Sequence, residues 1–146
     1  MKNVDYIIVG MGIAGLVFSK TLRDHGKSFV VIDSPKQGAT KASGGVLNPT
    51  VLKRFTPAWN TVEFVLKAGT FYESLARDIG QQVLSGVAIH RILSSVEEQN
   101  NWMVASDKEI LSRFLSPEIL KNNNTAISAS FGLGAVTQAN IMKPYA

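Results

Sequence analysis

Apolar and polar positions follow a definite order along the first part of the chain. Tyr6-Ile7-Ile8-Val9 is apolar throughout and ends at Gly10, the pattern of a strand buried on both faces. Residues 16–25 have helix-like spacing and close at Gly26. A second apolar run, Phe29-Val30-Val31-Ile32, ends at Asp33. The order is strand, glycine turn, helix, strand. Residues 34–56 are punctuated by Pro35, Gly38, Gly44, Gly45 and Pro49, which predicts loop. Thr56-Pro57 reads as N-cap and first position of a long helix. Val62, Leu66, Phe71, Leu75 and Ile79 follow at near-helical spacing, and Gly80 stops the helix. Trp59, Phe64 and Tyr72 widen its apolar face, as a packing surface rather than an aromatic cage.

The later pattern is more broken. Residues 83–93 have strand content interrupted at Ser85-Gly86. Ser95-Val96-Glu97-Glu98 and Ser106-Asp107-Lys108-Glu109 both fit a capping box, predicting short helices over 96–104 and 107–115. Their glutamates read as caps, not as catalytic acids. Ser116-Pro117-Glu118 reads as a short turn or helix, and Asn122-Asn123-Asn124 as loop. Residues 126–131 and 135–141 predict two strands around Gly132-Leu133-Gly134. The chain carries no internal repeat.

The turn between the first strand and helix is Gly10-Met11-Gly12-Ile13-Ala14-Gly15. With the flanking strands it forms the βαβ unit that binds the ADP half of a dinucleotide. Gly10 lets the chain turn off the strand. A side chain at Gly12 would block approach to a pyrophosphate, and Gly15 allows close helix–sheet packing. The helix then aims free N–H groups and its positive end at the phosphates. Asp33 follows Gly15 at close to the roughly 20-residue distance expected for the acid that binds the ribose hydroxyls. Its charge would repel a 2′-phosphate. Asp33-Ser34-Pro35 is also a turn signal, so Asp33 could simply open a loop.

A second small-residue loop follows: Gly38-Ala39-Thr40-Lys41-Ala42-Ser43-Gly44-Gly45-Val46-Leu47-Asn48-Pro49. Gly44-Gly45 removes two side chains where the backbone could approach something flat, and Thr40 and Ser43 supply hydroxyl donors. Together with Asp5, Ser19 and Gly26, the two loops make residues 1–50 resemble the N-terminus of FAD-dependent amine and amino-acid oxidoreductases, the D-amino-acid oxidase and glycine oxidase family. The flavoprotein half of bacterial tRNA wobble-uridine-modifying enzymes lies in the same superfamily. The resemblance implies FAD as cofactor, with the ADP half on the first loop and the second loop passing under the flavin and pyrophosphate. It implies cofactor contacts at Gly10, Gly12, Ile13, Ala14 and Gly15, at Asp33 and Ser34, and at Ala39, Thr40, Ser43, Gly44, Gly45 and Val46. Many members carry Glu where this chain has Asp33. Asp is shorter by one methylene and needs a closer approach to the ribose, or a water. No catalytic side chain is assigned.

The expected fold is α/β: the N-terminal part of a Rossmann-like FAD-binding domain with the start of a substrate-domain sheet, incomplete at 146 residues. Residues 1–50 form the ADP-binding βαβ unit and second glycine loop. Residues 51–146 supply the linking helix and partial substrate and FAD-domain segments. No second strand–helix–strand unit follows Asp33, so the chain reads as part of a longer flavoprotein or as a truncated product.

Composition narrows the classes further. A mean hydropathy of +0.10 suits buried parallel strands. The net charge of +4 comes from scattered basic residues, so a nucleic-acid partner is not expected. Lys41, Lys53 and Arg54 lie nearest the cofactor loops. With no cysteine, disulfides, thiolate chemistry and cysteinyl-flavin are excluded. His25 and His90 have no ligand-spaced neighbour, so no metal is expected. His25 suits a helix C-terminus. No transmembrane run and no signal peptide are read, and a cytoplasmic location is expected.

The leading expectation is an oxidoreductase that takes a hydride equivalent from the C–N bond of a small amine or amino acid onto FAD. The alternatives are an NAD-dependent dehydrogenase and a non-catalytic remnant of a flavoprotein.

Overall fold

The computed structural model describes residues 3–34, 36 and 38–142. Pro35, named above as loop punctuation, and the side chain of Lys41 lie outside the described set. The chain divides into two compact units, Met1–Gly45 and Val46–Ala146.

In the first unit β1 (Tyr6–Val9), α1 (Ile13–Asp24) and β2 (Phe29–Ile32) follow in order, and β1 pairs with β2 in parallel, Tyr6 opposite Phe29 through Val9 opposite Ile32. This is the expected βαβ unit. Strand alternation decides its faces. Tyr6 and Ile8 point to the α1 side: Tyr6 meets Phe18 edge-to-face at 5.7 Å, and Ile8 is buried. Ile7, Val9, Val30 and Ile32 point the other way and are exposed. α1 ends in a Schellman arrangement. Lys27 N–H donates to Leu22 O and Gly26 N–H to Arg23 O, with Gly26 at φ +64°. A short helix, α2 (Ala39–Ala42), occupies part of the segment expected to be loop.

The second unit is built on the antiparallel strand β8 (Leu133–Met142). One flank of β8 is held along its length by β6 (Leu84–Ile92). The other flank is shared by β3 (Val46–Leu47) and β7 (Leu115–Leu120). Gly86 does not break β6, because its backbone keeps pairing opposite Asn140. Strand β8 begins at Leu133, and no strand forms over 126–131. There Asn122 Nδ2 donates to Asn124 O and Ile127 O, and Ala126 N–H donates to Asn124 Oδ1, which satisfies the backbone within the loop. Pro117 lies inside β7 rather than in a turn or helix. An edge strand with a register irregularity between Leu115 and Ile119 tolerates its missing N–H.

Thr56-Pro57 also departs from expectation. It forms β5 and pairs with β4 (Thr50–Val51), so it does not begin the long helix. α3 runs Thr61–Ile79 and ends at Gly80, φ +68°. Leu66, Phe64 and Ile79 remain exposed on it, whereas Tyr72 and Leu75 are buried. α4 (Val96–Ser106) starts at the first capping box: Glu98 N–H donates to Ser95 Oγ at 3.1 Å. The second box starts no α-helix. Ser106 ends α4 and donates its hydroxyl back to Met103 O, and only a 3-10 turn, Leu111–Arg113, follows.

The core of this unit is centred on Trp102, which is fully buried among Leu93, Ala105, Leu111, Leu115, Val136 and Ala139. Its Nε1 donates to Ser116 O at 2.8 Å, satisfying the one polar atom of the indole. Gly134 lies under the ring, where a Cβ would strike the indole carbons.

Candidate functional site

The first candidate loop and residues 38–45 of the second lie in the first unit, where the ends of β1 and β2 meet the start of α1. Gly10 adopts φ +92°, which a side chain would strain, and its N–H donates to Ile32 O at 2.8 Å. That bond ties the first loop to the residue before Asp33. Gly12 is the N-cap of α1 and carries no capping side chain. A Cβ at Gly12 would approach Thr40 Oγ1 at 3.3 Å. A Cβ at Gly15 would fall on the carbonyl oxygen of Gly10. Gly15 thus keeps the first turn of the helix tight against the loop.

Ile13 and Ala14 are the first residues of α1, and its first turn holds no acidic residue. Opening N–H groups of a helix have no partner within it, and their dipole favours an anion. One of them is engaged: Ile13 N–H donates to Thr40 Oγ1 at 3.0 Å. The second loop therefore folds over the helix start. The expectation of plain loop missed this, because the bond joins residues far apart in sequence. Ser43 caps α2 and donates its hydroxyl to Thr40 O at 2.9 Å, holding that turn together.

Asp33 and Ser34 follow β2 and are exposed, and Ser34 Oγ accepts Lys36 N–H at 3.3 Å. Ala39 opens α2. Gly44 is exposed, and Gly45 takes φ +66°. Val46 begins β3 and belongs to the second unit. The structure brings Gly10, Gly12, Ile13, Gly15 and Thr40 together around one helix start.

The opposite end of the pair carries a clamp that the sequence reading passed over. Asp5 accepts Ser28 N–H at 2.8 Å and the Ser28 hydroxyl at 2.7 Å. Those bonds hold the Asp5 carboxyl below its ordinary range. The signal was present, since each residue immediately precedes a strand. His25 caps α1, with Nδ1 at 2.8 Å from Thr21 O.

These features fit a dinucleotide pyrophosphate. Gly12 leaves space at the helix start, no acid opposes a phosphate there, and a carboxylate follows the neighbouring strand. Among the described residues no group of three His, Cys, Asp or Glu could hold a metal, and no helix is long and apolar enough to cross a membrane. Residues 5–63 match the FAD binding domain family, a stretch that includes both glycine loops and the start of α3. The fold is mixed α/β with a partial Rossmann-like unit, FAD is the cofactor, and the match supports a flavin-dependent oxidoreductase.

Proposed function

We propose that this flavin-dependent oxidoreductase oxidises the C–N bond of an amine or amino acid. The bound flavin would supply the acceptor for a hydride equivalent. The chain's own residues bind and orient that group. The N–H groups at the start of α1 take the pyrophosphate, and Gly12 gives it room. Asp33 accepts hydrogen bonds from the ribose hydroxyls. The Thr40 hydroxyl keeps the helix start in order until the pyrophosphate binds, Ser43 holds the Thr40 turn by donating to Thr40 O, and Gly44-Gly45 lets backbone approach the ring. The observation that carries the cofactor part is the arrangement of Gly12, Ile13 and Gly15 at the start of α1. The C–N bond rests on the resemblance of residues 1–50, with both glycine loops, to amine and amino-acid oxidoreductases.

The test has two stages. Equilibrium dialysis should show FAD held in preference to NAD. Anaerobic addition of single amines and amino acids should then bleach the flavin band. Flavin reduced by NADH but by no amine would remove the C–N reading and leave the cofactor assignment intact.

A further inference from the structure

We infer that the second unit holds a binding site for an uncharged planar heterocycle that presents both a hydrogen-bond donor and an acceptor in its ring plane. The site is a cavity of about 220 Å³ between one side of α3 and the ends of β3, β6 and β8. All its lining residues belong to the second unit, and those from Leu47 to Thr61 also fall within the stretch that matches the FAD binding domain family.

The polar groups of the cavity come from a register shift. Val87 pairs with Ala139 and Ile89 with Val136, so two residues of β8 oppose one of β6. This is a bulge at Thr137-Gln138. Strict alternation from Val136, which is buried in the core, would send residues 138 and 140 to the core as well. The bulge changes that parity. Ala139 takes the core position, and Gln138 and Asn140 line the cavity together. Neither side chain has a partner among the described residues. Asn48 lies beside them, with its Oδ1 committed to Thr50 N–H and Thr50 Oγ1, which leaves its Nδ2 to donate.

Three amides present donors and acceptors at one wall. Among the described residues, none that lines the cavity is charged. A carboxylate or ammonium placed there would lose its water without gaining a counter-charge, which disfavours ions. The other wall is apolar. Trp59 is 83 % exposed and meets Phe64 edge-to-face at 5.3 Å, so an indole stands open at the mouth. Space is kept by small residues on α3: a Cβ added at Gly69 would meet nothing within 4 Å. An open indole face and three amides without a charged neighbour select a neutral ring with polar edges. Such a ring could be a free single-ring compound or the ring portion of a flavin.

Trp59 makes the test direct, because the other tryptophan, Trp102, is fully buried. The full chain is titrated by Trp fluorescence and calorimetry with thymine, lumiflavin, benzoate and glycine. Thymine or lumiflavin should quench the Trp59 emission and release heat, while benzoate and glycine should not. Binding of lumiflavin alone would assign the site to a flavin ring, and binding of thymine to a single-ring compound. Gln138→Leu and Asn140→Leu should each weaken the ring ligand at least fivefold. Gly69→Leu should abolish binding with an unchanged melting temperature, which covers the case of a β8 variant that does not fold. Equal binding of benzoate, no binding of either heterocycle, or unchanged affinity in the β8 variants would overturn the inference.

Discussion

The Thr40 hydroxyl accepts the N–H of Ile13 at 3.0 Å, so a side chain of the second loop caps the helix that begins in the first. A cofactor phosphate bound at the start of α1 would need that same N–H. Thr40 therefore holds the site in order and must release it on binding.

Thr40→Val should lower the stability of the free protein by about 1 kcal/mol, the usual cost of a lost N-cap. Thr40→Ser should keep it. Saturating FAD should narrow the gap between wild type and Thr40→Val, because a phosphate oxygen replaces the lost acceptor. Thermal melts with and without FAD measure this, and a gap that widens with FAD would contradict the exchange.

Gly12→Val should abolish FAD retention. Even a first carbon at this position meets Thr40 Oγ1, and the branches beyond it would occupy the pyrophosphate space. Calorimetry with FAD reads the affinity, and near-wild-type binding would refute the placement of the pyrophosphate.

Gly15→Ala should damage the fold rather than the ligand contact. Its Cβ would fall on a backbone carbonyl, which cannot turn aside as a side chain does. A loss of about 1–3 kcal/mol is expected, as for other overpacked positions. Circular dichroism during heating reports it; an unchanged midpoint would mean that α1 can move off the loop.

Glu98 links stability to pH. Ser94 N–H and the Arg91 guanidinium, at 2.6 Å, hold its carboxyl below the ordinary value of 4.5. A depressed folded value adds stability that is complete above about 4.5 and is lost as pH falls through the folded value. Glu98→Gln should therefore melt lower than wild type at neutral pH, and the difference should close in acid. A difference constant across that range would show that the charge is not the cause.

The open face of the parallel pair should govern solubility. Val9 is 80 % exposed and Ile7 63 %, beside Val30 and Ile32. Val9→Lys should reduce aggregation of the isolated chain and leave its melting point unchanged, because the side chain makes little packing. Light scattering against concentration measures this; equal aggregation would place the sticky surface elsewhere.

Local chemistry made the βαβ unit readable. Tyr6–Val9, the glycine turn and Phe29–Ile32 are set by neighbours within a few residues, and Gly26 and Gly80 end their helices by a backbone property of glycine alone. The first capping box worked for the same reason, with Ser95 acting on Glu98 three residues away. Where strand pairing or a preceding helix competed for the same residues, the local signal misled. Thr56-Pro57 has the chemistry of a helix start, but pairing with Thr50-Val51 made it a strand. Ser106 has the chemistry of an N-cap, but it is the last residue of α4. Ser116-Pro117-Glu118 reads as a short turn or helix, but an irregular edge strand accommodates Pro117.

The chain by itself determined the glycine loops, the acid after β2 and hence the dinucleotide chemistry, because each depends on residue type at short spacing. Only the tertiary structure decided that Thr40 reaches Ile13 and that Gly134 gives its space to Trp102. The same holds for the bulge in β8 that turns Gln138 and Asn140 away from the core. These are contacts between residues distant along the chain, or consequences of strand register. Pairing and packing across the whole unit fix both, and no local spacing records them.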